Sequence, residues 1–186
     1  MLEFLQNTDT RLFVFLNGLH SPFFDTVMYW ISDKIFWIPL YLFFIYLLFR
    51  VFGKKFWIPL LVVLATVALT DLVSVHLFKN VFQRLRPCHQ PALSDIVHIV
   101  KDHCGGKYGF VSSHAANFFG LAASLWVLLR RKYKRTGIWL FVWAAVIGYS
   151  RIYLGVHYPA DVVAGAVVGT GIGLAVSYMF SKYLTM

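Results

Sequence analysis

Residues Phe56–Val75 read FWIPLLVVLATVALTDLVSV. A hydrocarbon layer about 30 Å thick is crossed by roughly 20 mostly apolar residues of helix, and this stretch supplies them with a single ionisable side chain, Asp71, near one end. Lys54 and Lys55 stand just before it and Lys79 just after. It is read as a membrane-spanning helix with a polar extension to Asn80.

Working outward, Ile35–Phe52, Ala115–Leu129, Ile138–Tyr149 and Ala160–Tyr178 have the same character. Periodicity says little where a helix is apolar on all sides, so length and charged or Gly/Pro flanks place these spans. Across 186 residues the chain is 59% hydrophobic and 13% charged, whereas a soluble domain is about half apolar and about a quarter charged. Phe4, Leu5, Leu12, Phe13 and Leu16 lie among polar residues, the mark of an amphipathic segment on the membrane surface. Phe23–Ile31 is too brief to span alone, although with the preceding segment it can make a broken sixth crossing. Met1–Asp9 lacks the basic start and apolar core of a signal peptide, so the whole chain is read as mature protein. The expected fold is all-α: a polytopic membrane helical bundle of about five or six transmembrane helices with an N-terminal amphipathic segment. With no internal repeat or linker, residues 1–186 are expected to form one domain, an interfacial or broken-helix segment at 1–33 and the helical bundle at 35–183.

A net charge of +9 would raise nucleic acid as a partner of a soluble protein. Here the cations fall in juxtamembrane loops and one polar cluster, so no nucleic-acid partner is expected and the bilayer is the surrounding. With five spans, Arg50, Lys54, Lys55, Arg130, Arg131, Lys132, Lys134, Arg135 and Lys182 share one side without an acidic residue. The positive-inside rule assigns that side, and the C-terminus, to the cytoplasm of an inner or plasma membrane. The loop Val81–Val111 then faces the periplasm or the exterior.

Three polar elements meet that outward face: Lys79 to Arg86 and Pro87 after the second span, Ser112-Ser113-His114 entering the third, and Ser150-Arg151 with His157 and Asp161 between the fourth and fifth. Antiparallel neighbours alternate ends, so the three converge at one level. Cations gathered at a bilayer boundary demand an anion, because unpaired buried charge is costly. Phosphate fits: Lys79, Arg86 and Arg151 can neutralise its oxygens, and Ser112 and Ser113 stand where a helix N-cap adds hydroxyl and N–H donors. Two histidines beside a bound phosphate suggest one attacking phosphorus and one protonating the departing alkoxide. Pro159 suits the first helical position and puts Asp161 in the first turn, within reach of His157. His157 is therefore expected to be the nucleophile, forming a phosphohistidine that water hydrolyses, and His114 the general acid.

Lysine, six residues, then Arg-Pro; a Ser-x-His element; and Ser-Arg, five residues, His, three residues, Asp together resemble the signature of the type 2 phosphatidic acid phosphatase family, whose membrane members are lipid phosphatases. The resemblance covers Lys79 to Asp161. It implies a histidine mechanism without metal or other cofactor, carried onto Lys79, Arg86, Ser112, Ser113, His114, Arg151, His157 and Asp161. The middle element departs from the usual Pro-Ser-Gly-His: Val111 replaces Pro and Ser113 replaces Gly.

Other residues have plainer readings. Asp71 and His76 sit in or near the second span, where Asp71 is expected to make a supporting hydrogen bond to the site or to Thr70 and Ser74. Gly165, Gly169 and Gly173 form a small-xxx-small pattern, expected to pack within the bundle in preference to a dimer seam. Cys88 and Cys104 share the outward loop, where oxidation can join them and hold Arg86 still; His89, His98 and His103 also permit a metal site with these thiols, but in no standard zinc spacing.

The substrate expected of such a molecule is a membrane lipid phosphate, since little soluble structure remains to enclose a water-soluble one. Undecaprenyl pyrophosphate is the first choice, with Arg84, Lys101 or Lys107 available for a second phosphate. Phosphatidylglycerol phosphate, phosphatidic acid and lipid A phosphates are alternatives, as is transfer to a lipid acceptor. A reading from another class is a lipid-binding or translocating protein without turnover; an oriented nucleophile and acid speak against it, because binding needs cations alone.

Overall fold

The structure is a computed structural model that describes residues 2–102 and 104–181. His103 and Lys182 lie outside the described residues. Two helices, α1 (Leu2–Asn17) and α2 (Pro22–Ser32), precede the apolar core, joined where Ser21 caps α2 by accepting a hydrogen bond from the Phe24 N–H and Pro22 starts the helix. They are followed by α3 (Ile38–Phe52), α4 (Trp57–Val73), the single turn α5 (Asn80–Phe82), α6 (Ser113–Leu129), α7 (Thr136–Tyr153) and α8 (Pro159–Ser181). Every span expected from the sequence is a helix. Among the described residues, three apolar stretches, Ile35–Lys55, Trp57–Phe82 and Pro159–Phe180, are long enough to cross a membrane, and Ser113–Leu129 is a shorter apolar helix.

The bundle is built around α6, which packs against α3, α4, α7 and α8. Its residues Ala115, Ala116, Ala122, Ala123, Leu125 and Leu129 are almost wholly buried, whereas Leu42, Phe43, Leu61, Leu64, Val163 and Val167 on the outer helices are exposed. A soluble protein hides such residues; a bilayer accepts them. The close approach of α8 to α6 depends on glycine: a Cβ at Gly169 would collide with the Ala116 backbone, and one at Gly173 with Gly120. The small-xxx-small pattern therefore serves the bundle interior, as the sequence suggested.

Helix α4 does not continue regularly. Ser74–Lys79 is π-helical before α5. In a regular α-helix residues five apart diverge by roughly 140°, but i→i+5 bonding returns them to one face. Ser74 and Lys79 accordingly both reach Ser113 on α6: the two hydroxyls are 2.7 Å apart and Lys79 Nζ donates to Ser113 Oγ at 2.7 Å.

The N-terminal helices are part of the bundle. Helix α1 packs against α7 and α8, and α2 against α7. Asn17 is buried and donates to the carbonyls of His98, Ile152 and Tyr153 while accepting from the His98 N–H. One side chain thus pins the end of α1 to the loop between α5 and α6 and to the end of α7.

Candidate active site

Residues from three distant stretches converge where α4 and α7 end and α6 and α8 begin. His157 is 2% exposed and follows α7, on a tight bend where the Val156 and His157 N–H groups both donate to the Arg151 carbonyl. Its Nδ1 lies 3.5 Å from Asp161 Oδ2, too long for a good hydrogen bond, and this buried Nδ1 has no hydrogen-bond partner among the described residues. The sequence expectation that Asp161 reaches back to His157 is met in placement, while the bond itself is open. Asp161 is 0% exposed. Its Oδ2 accepts from the Tyr158 N–H at 3.0 Å, its Oδ1 from Arg84 Nη1 at 2.8 Å, and its main-chain carbonyl from the Ser112 N–H at 2.9 Å. Gly109 closes over the pair: a Cβ there would stand 3.1 Å from Asp161 Oδ2 and 3.5 Å from His157 Nδ1.

The cations surround this imidazole. Burial above all, then the charges of Arg86, Arg151 and Lys79, push His157 well below the ordinary imidazole value of 6.5, opposed by the Gly109 backbone. Arg86 is 9% exposed. It is held by main-chain carbonyls, Nη1 donating to Cys104 at 3.0 Å and Nε to Tyr108 at 3.3 Å, with its own N–H on Lys107. The Cys88–Cys104 disulfide is formed, with its Cα atoms 5.9 Å apart, and so closes the loop onto the residue that grips Arg86. With its cysteines bridged, the thiol and His89 cluster has no thiolate for a metal. Arg151, 8% exposed, donates from Nη1 to Ser32 Oγ on α2, while its Nε has no partner among the described residues. An orphaned guanidinium nitrogen and three convergent cations are the signature of a site built for an anion.

The serines divide differently from expectation. Ser112 is the N-cap of α6, its Oγ accepting from the Ala115 N–H at 3.4 Å; since its own N–H is taken by Asp161, the donor left for a ligand is its hydroxyl proton. Ser113, already inside the helix, turns its hydroxyl to Ser74 and Lys79. Asp71 accepts from Asn117 Nδ2 at 3.2 Å, and Asn117 Oδ1 accepts from Thr70 Oγ1 at 2.7 Å. This is the supporting bond expected of Asp71, delivered through a side chain that the sequence did not single out.

His114 opens into a different space. It lines a cavity of about 380 Å³ together with Arg151, Ser32, Asp33, Lys34 and Tyr29. It lies within electrostatic reach of Arg151, Lys34, His157 and Lys79. Lys34 also borders a second cavity, about 330 Å³, walled by apolar residues of α3, α4 and α6 such as Phe44, Leu48, Val63 and Leu125. Of the three cations proposed for a second phosphate, Arg84 is paired with Asp9 and Asp161, Lys101 Nζ sits 3.8 Å from the centre of the Tyr29 ring, and Lys107 is exposed with its Nζ 5.7 Å from the centre of the Tyr108 ring. Lys34, Ser32 and Asp9 are the site neighbours that sequence reasoning missed, and Arg84, named there only for a second phosphate, turns to Asp161. Long separations hide them, 119 residues between Ser32 and Arg151 and 75 between Asp9 and Arg84.

Comparison with known proteins shows the family. The model of the PAP2 superfamily matches residues 56–184, and the chain belongs to that family. The chain is 40% identical over its whole length to a lipid A 4'-phosphatase of Bacteroides thetaiotaomicron, covering 82% of that protein, and 35% identical over 98% of its length to one of Porphyromonas gingivalis, covering 76%. It is 33% identical to the undecaprenyl-diphosphatase BcrC of Bacillus subtilis over 51% of this chain and 46% of that one. The crystal structure of a transmembrane PAP2-type phosphatidylglycerolphosphate phosphatase from Bacillus subtilis shares the fold with a TM-score of 0.74 at 23% identity, over 97% of this chain and 88% of that one. The protein is thus an integral membrane PAP2 lipid phosphatase.

Proposed function

We propose that the protein hydrolyses a phosphomonoester on a glycolipid of the lipid A type. In this reading His157 Nε2, the ring nitrogen turned away from Asp161, attacks phosphorus. The P–O bond to the lipid breaks as an N–P bond forms, and His114 gives its proton to the leaving oxygen. Water then attacks the phosphohistidine and releases inorganic phosphate. Arg86, Arg151 and Lys79 balance the phosphate charge, and Ser112 adds a hydroxyl.

The observation that carries the reading is the position of Lys34, shared by the polar cavity of His114 and the apolar cavity between α3, α4 and α6. An amphiphile fits both: its headgroup beside His114, where the leaving oxygen must be protonated, and an acyl chain in the apolar space. The lipid A class is favoured because the two relatives of that name align along the whole chain, and because Arg84 and Lys101 are engaged in other contacts. Undecaprenyl pyrophosphate, the first choice from sequence, is the second reading, supported by the BcrC match over half of the chain. The basic loops around Arg50 to Lys55 and Arg130 to Arg135 support a site facing away from the cytoplasm.

The test is phosphate release in detergent from lipid A bearing a 4'-phosphate and from undecaprenyl pyrophosphate, with chelator present and His157→Ala as control. The proposal expects faster release from lipid A, undiminished by chelator. Preference for the pyrophosphate would replace the substrate, and release abolished by chelator would replace the mechanism.

A further inference from the structure

Arg84 stands two residues before Arg86, yet it faces away from the phosphate cations. Its guanidinium is engaged by two carboxylates and a ring: Nη1 lies 2.8 Å from Asp161 Oδ1, Nη2 2.7 Å from Asp9 Oδ2, and Cζ 4.0 Å from the centre of the Tyr158 ring. Asp9 comes from α1, and its second oxygen accepts the Ala160 N–H at 2.9 Å, in the first turn of α8. A continuous line of charge therefore runs from the N-terminal helix to the imidazole: Asp9, Arg84, Asp161, His157.

We propose that Arg84 and Asp9 are positioning residues, which keep Asp161 ionised and aimed at His157 Nδ1 and so make α1 a working part of the catalytic centre. This inference rests on the reading of His157 as the nucleophile. The physical need is plain. A carboxylate with no exposure is costly unless a cation and hydrogen bonds satisfy it. Arg86 is turned to the Cys104 and Tyr108 carbonyls, and Lys79 to Ser113, so Arg84 is the cation hydrogen-bonded to Asp161. Asp9 holds the guanidinium by its second fork, which fixes direction as well as charge. The groups facing Asp161 are His157, Arg84 and Tyr158, with Arg86 and Lys79 acting through charge. Without the guanidinium, a buried carboxylate takes up a proton at higher pH than one held beside a cation. Protonated, it no longer stabilises the tautomer with hydrogen on Nδ1, which leaves the Nε2 lone pair free to attack.

The experiment measures kcat and KM against pH for full-length Arg84→Gln, Arg84→Lys and Asp9→Asn, with His157→Ala as control. For Arg84→Gln we expect kcat to fall about 100-fold near neutral pH, with KM for the lipid changed less than about 3-fold. The acid limb of its kcat profile should move upward by about one pH unit or more, with activity partly recovered toward pH about 8.5. Arg84→Lys should restore most of the rate, and Asp9→Asn should shift the limb the same way by less. A uniform loss at every pH, or a loss carried by KM, would mark Arg84 as a simple staple or a phosphate ligand and overturn the proposal. If Arg84→Gln does not fold, an unmoved limb in Asp9→Asn overturns it equally. Full turnover in His157→Ala would instead remove the underlying reading of the nucleophile.

Discussion

The two halves of the site are built on opposite plans. Around His157 the structure is closed: both carboxylate oxygens and the carbonyl of Asp161 accept hydrogen bonds, and Arg86 rests on two main-chain carbonyls behind a disulfide. Around His114 it is open. Among the described residues neither the His114 ring nor the Lys34 side chain makes a hydrogen bond, and both border the larger polar space. The contrast fits a division of work in which one half is organised in advance for attack on phosphorus and the other is completed by the lipid. Preorganised charge costs nothing further at the moment of reaction, whereas a general acid that meets its substrate only on binding tightens then.

That comparison can be broken in order of expected effect. His157→Ala should lower phosphate release by about 1,000-fold or more on any substrate, because it removes the atom proposed to attack phosphorus; a panel of lipid and aryl phosphates checks this. His114→Ala should cost about 100-fold on a lipid alkoxide but little on an aryl phosphate whose leaving group needs no proton. Equal losses on both would mean that His114 does more than protonate the leaving oxygen. Replacing Cys88 and Cys104 by Ser should lower stability by about 3 kcal/mol, read as a lower midpoint of unfolding in detergent, and should slacken Arg86 with a rise in KM. Lys34→Ala is the mildest change, raising KM for the lipid about 3- to 10-fold and leaving soluble aryl phosphates unchanged.

Acid should act through the closed half. The folded state holds His157 neutral below the ordinary value of 6.5. The unfolded chain protonates near 6.5, so the stability linked to this residue is full above that pH and declines as pH falls below it. Unfolding midpoints compared between wild type and His157→Gln from neutral to acid pH should show a steeper decline in wild type.

Much of this was legible in the sequence, for reasons that differ by region. The spans were legible because an all-round apolar helix is a matter of length, and the closed half because Lys79, Arg86, His157 and Asp161 lie on or beside span ends whose level the membrane fixes. Gly165, Gly169 and Gly173 announced the contact of α8 with α6. The π-helical turn that brings Ser74 and Lys79 to one side chain had no signal, since it is set by packing against α6. Ser32, Lys34 and Asp9 were illegible because α1 and α2 read as a surface segment. Their docking on α7 and α8 is tertiary: Asn17 and the Arg84–Asp9 pair create it, and neither partner shows it alone.

The central claim is that His157 carries the phosphate between lipid and water. Brief incubation with lipid labelled at its phosphate, followed by denaturation in alkali and peptide mapping, tests it most directly. The account predicts an acid-labile, alkali-stable label on the peptide containing His157, absent from His157→Ala and prolonged where hydrolysis is slowed. Label on a serine, stable to acid, or rapid turnover with no trapped phosphoenzyme under any condition, would contradict it.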